Sequence, residues 1–190
     1  MVSTADSRTE SRVDWHFLLL GAGFMLLEAQ IVSRMALLFG TTWVVNSIVV
    51  SGLLLLIVAA NLVYQRFPSI PVGFAYVDLL VSLLVSFVVP LEVLFFESLW
   101  VRAIASMMVL CMPVFFAGIV FVSSFARAHF QGRALGSNLF GSLAGGLPES
   151  VSLWFGLKLL IVLAAIIYAG SALSLLPRTT YPSFTTTLIR

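Results

Sequence analysis

Charge is what this sequence has least of. Only 9% of its 190 residues are Asp, Glu, Lys or Arg, against roughly a quarter in a soluble domain. A chain so composed cannot cover a water-facing surface with polar groups, so its composition calls for lipid as solvent. Cysteine is nearly absent too. Cys111 is the single thiol, which excludes an internal disulfide, and its place in the apolar run 107–112 reads as buried and inert. The ten Lys and Arg residues are scattered, which excludes the clustered basic footprint of a nucleic-acid-binding protein. Histidine occurs only at His16 and His129. Neither has metal-ligand spacing around it, so surface or interfacial placement is expected for both. No Cys/His or Ser/His/Asp constellation can be assembled. These absences leave no catalytic residue, no cofactor site and no metal site to nominate, and the chain is read as not an enzyme.

What is present is apolar sequence in long runs: 61% of the residues are hydrophobic and the mean hydropathy is +1.11. A span takes about 20 mainly apolar residues, because the hydrocarbon core is about 30 Å thick and a helix rises about 1.5 Å per residue. Six spans would consume about 120 residues and leave short loops and tails. The runs place helices at 15–40, 43–64, 71–89, 99–126, 134–152 and 155–176. The fold class is therefore an all-α polytopic bundle of six transmembrane helices over 15–176, between polar tails at 1–14 and 177–190. The first apolar run is longer than a signal-peptide core and lacks a small-residue exit, so it is expected to be retained. Pro71 suits a first helical turn, where no backbone donor is needed. Pro113 predicts a kink near the middle of the fourth helix.

With six spans, both tails and the second and fourth loops share one side. That side holds Arg8, Arg12, Arg66, Arg127, Arg133, Arg178 and Arg190, and the other side holds Arg34, Arg102 and Lys158. The bias puts both termini in the cytoplasm and the chain in the cell inner (cytoplasmic) membrane. Trp15, Trp43, Trp100 and Trp154 all fall near helix ends, as an interfacial aromatic belt requires.

Ionisable residues inside spans are costly and usually face the bundle interior. Glu28 lies about 18 Å along the first helix and Glu149 about 22 Å along the fifth, which starts from the same side. Both acids thus share a depth with Arg34, Arg102 and Lys158, while Asp78 is shallower. Two readings stand side by side. Glu28 and Glu149 form a cation or proton site, or they pair with a cation or a backbone group and fix helix order; the nearby cations favour pairing. The fifth helix adds a second pattern. Asn138, Gly141, Gly145 and Glu149 recur at spacings of three and four and share one face. Gly141 with Gly145, and Ser142 with Gly146, are small-residue pairs that let a neighbouring backbone come close. A central, packed fifth helix is expected. Gly21-Ala22-Gly23 looks like a fragment of a nucleotide loop, but it lies inside a span with no strand before it.

Three stretches carry a resemblance: GAGFMLLE at 21–28, PVFFAGIVF at 113–121 and ALGSNLFGSLAGGLPES at 134–150. Together they resemble the membrane domain of the spermidine synthase-like (fused transporter/spermidine synthase) integral membrane proteins, over about 14–176. The resemblance implies a multi-span module joined to a soluble aminopropyltransferase-like domain. That domain is not in these residues, and Pro148 departs from the apolar residue expected before the fifth-helix Glu, so only the membrane module is carried over. The function expected is a non-catalytic accessory subunit that packs with other membrane protein subunits in the lipid bilayer. The alternative is a small cation or polyamine transporter using Glu28, Glu149 and Asp78.

Overall fold

The computed structural model describes residues 13–40 and 42–175, with backbone only over 148–155. The described residues are helical, with no strand among them. Six helices follow in order: α1 (Trp15–Phe39), α2 (Trp43–Arg66), α3 (Val72–Val88), α4 (Leu99–Phe125), α5 (Gln131–Phe155) and α6 (Leu157–Ser174). Four of them, α1, α2, α4 and α6, are long and apolar enough to cross a membrane; α3 is apolar but has 17 residues. The helix α5 has 25 residues but dilutes its apolar content with Gly, Ser and Asn.

The ends follow local chemistry. Asp14 caps α1, its Oδ1 accepting from the N–H groups of His16 at 3.1 Å and Phe17 at 3.4 Å, which satisfies donors the helix leaves free. Gly40 closes α1 at φ 95°, its N–H bonded to the Ala36 carbonyl at 2.9 Å; a positive φ favours glycine because there is no Cβ to clash. Thr42 then caps α2 through Oγ1 and the Val45 N–H at 3.2 Å. Pro71 is the N-cap of α3, and a 3₁₀ turn at Leu91–Leu94 follows that helix. The kink expected at Pro113 takes the form of a π-helical segment, Met107–Cys111, inside α4. Pro113 has no N–H, and its ring crowds the carbonyl four residues back, so the turn before it widens. The helix α5 begins three residues before the expected start, and Gly156, at φ 83°, ends it and sets off α6. The tails, Thr41 and the Trp154 side chain lie outside the described residues.

The core is built around α1, which buries 14 of its 25 residues and packs against α2, α4, α5 and α6. This corrects the expectation of a central fifth helix. Instead α5 lies along one flank of α1, with Leu139, Phe140, Leu143 and Leu147 exposed. Contacts fix the directions. Leu18 and Ala22 meet Gly141 and Gly145 in the same order, so α1 and α5 run parallel. His16 and Gly23 meet Ser171 and Tyr168 in reverse order, so α6 is antiparallel to α1. Near the start of α1, Phe17 packs edge-on against Phe121 and Phe125 at the end of α4. The outer surface is apolar, with Leu54, Leu55, Val58, Val81, Leu84 and Ile166 exposed. That inverted surface suits lipid rather than water.

Candidate functional site

The tightest seam runs between α1 and α5, and it is made by glycine. A Cβ placed on Gly141 would overlap the carbonyl of Leu18, and one on Gly145 would stand 2.7 Å from the Ala22 Cα as well as against its carbonyl. From the other side, Gly21 faces the Asn138 carbonyl just as closely. Lipid tails are as apolar as leucine, so helices associate here by backbone proximity and hydrogen bonds rather than by expelling water. Ser142 Oγ donates toward the carbonyls of Asn138 at 3.1 Å and Gly21 at 3.3 Å, which stitches the seam. The Asp14 N–H donates to Ser137 Oγ at 2.8 Å and closes one end. The face expected from Asn138, Gly141 and Gly145 is therefore a packing face. The second small pair is looser: a Cβ on Gly146 would meet only Met25 Cγ, at 4.0 Å. Gly21 and Gly23, set aside in the sequence as a false nucleotide loop, belong to the packing too, Gly23 against the Tyr168 ring.

The ion pair expected of Glu28 does not form among the described residues, and the one expected of Glu149 lies outside them. The cations serve helix ends instead. Arg34, 3% exposed, donates from Nη1 to the Ser86 carbonyl at 2.7 Å, with Ser86 Oγ at 3.5 Å. Residue 90 is proline, so this carbonyl lacks the N–H that would normally reach it from four residues on, and Arg34 supplies the donor. A cation at a helix C-terminus also opposes the negative end of the helix dipole. Arg102 does the same for α1. Its Nη1 reaches the Leu38 carbonyl at 3.3 Å, while Nε and Nη2 hold the Phe96 carbonyl at 3.0 and 2.7 Å. Lys158 is exposed, its Nζ 5.7 Å from the centre of the Phe87 ring. Glu28 is half-buried and makes no hydrogen bond or ion pair among the described residues. The Glu149 side chain lies outside the described residues. Asp78 is exposed on the outer face of α3.

Sequence reasoning missed a buried polar cluster at the other end of the bundle. His16, expected near a surface, is 8% exposed. Its Nδ1 lies 2.9 Å from Ser171 Oγ and 3.2 Å from the Ser171 carbonyl. A carbonyl only accepts, so that contact needs the proton on Nδ1 and leaves Nε2 as a bare acceptor. Tyr76 Oη sits 2.9 Å from the same Ser171 Oγ, so one serine joins α1, α3 and α6. Single His, Tyr and Ser residues in three separate runs give no spacing signal, which is why the cluster was invisible. It resembles a hydrogen-bond relay, but Ser171 is 0% and Tyr76 4% exposed. With no approach for a substrate, its chemistry is that of a pin between helices.

Two hollows remain. One of about 180 Å³ lies among α1, α2, α4 and α6, lined by Leu20, Phe24, Ile57, Gly118 and the Tyr168 ring, with Asn138 of α5 at its wall. The other, about 260 Å³, is a groove between α3 and α4 beside Asp78. Among the described residues, no group of three His, Cys, Asp or Glu side chains converges as a metal site would require. Comparison of the chain with protein-family models, with curated proteins and with solved structures finds no match.

Proposed function

We propose that this chain is a non-catalytic subunit of a larger membrane protein assembly. It would cross the cell inner membrane six times with both termini in the cytoplasm, and it would correspond to the membrane module of the spermidine synthase-like family. The observation that carries this reading is the outer face of α2. Only Leu53 and Ala60 of its 24 residues are buried. Its exposed side bears Ser47, Ser51, Asn61 and Gln65, which share one face with Leu54 and Val58 at spacings of three and four. Polar side chains pointed at hydrocarbon are disfavoured, whereas a small-x-x-x-small pair such as Ser47 and Ser51 is what a neighbouring helix packs against. No described helix covers that face, so another chain would cover it.

Solubilising native membranes in mild detergent and weighing the intact particle by native mass spectrometry tests the reading. A complex of this chain with other proteins at fixed stoichiometry is the expected result. A stable monomer or homo-oligomer that moves a cation saturably in liposomes would overturn it.

A second reading, transport of a small cation or polyamine, draws support from Glu28, which is half-buried without a counter-charge among the described residues. The substitution Glu28→Gln separates the two. As Glu28 has no partner among the described residues to orphan, the subunit reading expects stability to change by less than about 0.5 kcal/mol and assembly to persist. Loss of saturable cation uptake with folding intact would support transport.

A further inference from the structure

The geometry points to the groove beside Asp78 as the docking site for a transmembrane helix of a partner protein that carries a lysine or arginine at the depth of Asp78. This rests on the subunit reading above and names the partner's chemistry. Asp78 is exposed on α3 between Val77 and Val81, which are 57% and 53% exposed. It makes no hydrogen bond or ion pair among the described residues. Ser82, the nearest hydroxyl along that wall, is engaged with its own helix, its Oγ donating to the Leu79 carbonyl at 2.8 Å. No cation among the described residues lines the groove, whose opposite wall is Met108, Val109, Met112 and Phe116 of α4. The π-helical segment Met107–Cys111 forms part of that wall, and methionine side chains adapt readily to an incoming surface.

A carboxylate so placed stands about 9 Å along α3, among residues that would face hydrocarbon. A charge there costs about 2.5–3.5 kcal/mol at the centre of a span, less toward the edge. An opposing cation on an apolar helix removes that cost and fills the groove in one step. Lys158 of a second copy fits poorly. This exposed residue lies against Phe87, nine residues from Asp78, so a copy in the same orientation would bring its ammonium about 14 Å too far along the helix. A soluble polyamine fits poorly as well, because the groove opens sideways between exposed Val81, Val85 and Met108.

The test uses leucine-rich synthetic transmembrane peptides reconstituted with the full chain in phosphatidylcholine vesicles, association being read by energy transfer to a dye at the protein's amino terminus. One peptide carries a single lysine about 9 Å from its end, a second carries aspartate there, and a third is leucine throughout. The lysine peptide should bind about tenfold tighter than the leucine peptide, the aspartate peptide no better than leucine, and Asp78→Asn should abolish the lysine advantage. The comparison among peptides needs no variant, and a thermal melt of Asp78→Asn should match the wild type because Asp78 holds nothing in place. Equal binding of all three peptides, displacement of the lysine peptide by spermidine, or an advantage that survives Asp78→Asn would overturn the inference. Equal peptide binding beside an intact native complex would refute this docking site alone, whereas a wild-type chain with no partner would refute the subunit reading itself.

Discussion

The consecutive helices α1 and α2 are almost equal in length, 25 and 24 residues, yet α1 buries 14 of them and α2 buries two. Both are apolar enough to cross a membrane, so hydrophobicity does not separate them. What separates them is where small and polar residues stand. In α1, Gly21 and Gly23 meet a backbone and a ring, and His16 and Arg34 point inward to hydroxyl and carbonyl partners. In α2, Ser47, Ser51 and Asn61 point outward. Inside lipid, burial follows close approach and polar pairing rather than apolar content. By that rule α1 is packed within the described bundle, and the outer face of α2 is where the proposed partner would sit.

The hardest blow to the α1 side is a methyl group at its closest contact. Gly141→Ala sets a Cβ into the Leu18 carbonyl and should cost about 3 kcal/mol, the upper end of overpacking, read as unfolding in a detergent titration. Gly146→Ala, next to Gly145 but on a looser face, has room and should shift the same titration by less than about 0.5 kcal/mol. Equal effects at the two positions would mean that α5 does not pack through Gly141.

Next in size is the arginine at the end of α3. Arg34→Met keeps the volume but leaves the Ser86 carbonyl buried without a donor, which should cost about 1–3 kcal/mol. Arg34→Lys retains an ammonium that reaches the same oxygen and should recover part of that loss in a thermal melt. If the two variants melt alike, the hydrogen bond to Ser86 is not what Arg34 contributes.

The smallest effect on the isolated chain belongs to α2. Ser51→Leu touches nothing within the bundle and should leave its melting unchanged within about 0.5 kcal/mol, while weakening recovery of any partner from native membranes. A large loss of stability in the purified chain would place Ser51 in an internal contact and erase the contrast between the two helices.

Much of this was legible in sequence because it depends on period and on special residues. The long apolar runs mark the helices, Pro113 marks the π-helical segment one turn before it, and Asn138, Gly141 and Gly145 mark a packing face by spacing alone. The pairing of that face was not legible. Its partner is the Gly21 region of α1, more than a hundred residues away, and two glycines separated by one residue look like a loop until the helix opposite is known. The cations misled for a similar reason. Shared depth suggested that Arg34, Arg102 or Lys158 would pair with Glu28 or Glu149, but Pro90 had already deprived the Ser86 carbonyl of its donor, and that local vacancy claims the Arg34 guanidinium. The His16, Tyr76 and Ser171 cluster joins three helices through one hydroxyl, which no spacing in a single helix encodes. For Asp78 the sequence gives depth but not facing; it stands on the outer face, since α3 turns toward α4 and α6 through Ala75, Leu79 and Leu83.

The contrast between α1 and α2 comes down to what covers Ser51 in the native membrane. A photo-crosslinking residue placed at Ser51, with a matched one at Leu143 on the apolar outer face of α5, reads this directly. The account expects a discrete protein adduct of constant mass from position 51 and lipid adducts from position 143. Lipid adducts alone from both positions would contradict it, because α2 would then be as complete without a partner as α1 is within the chain.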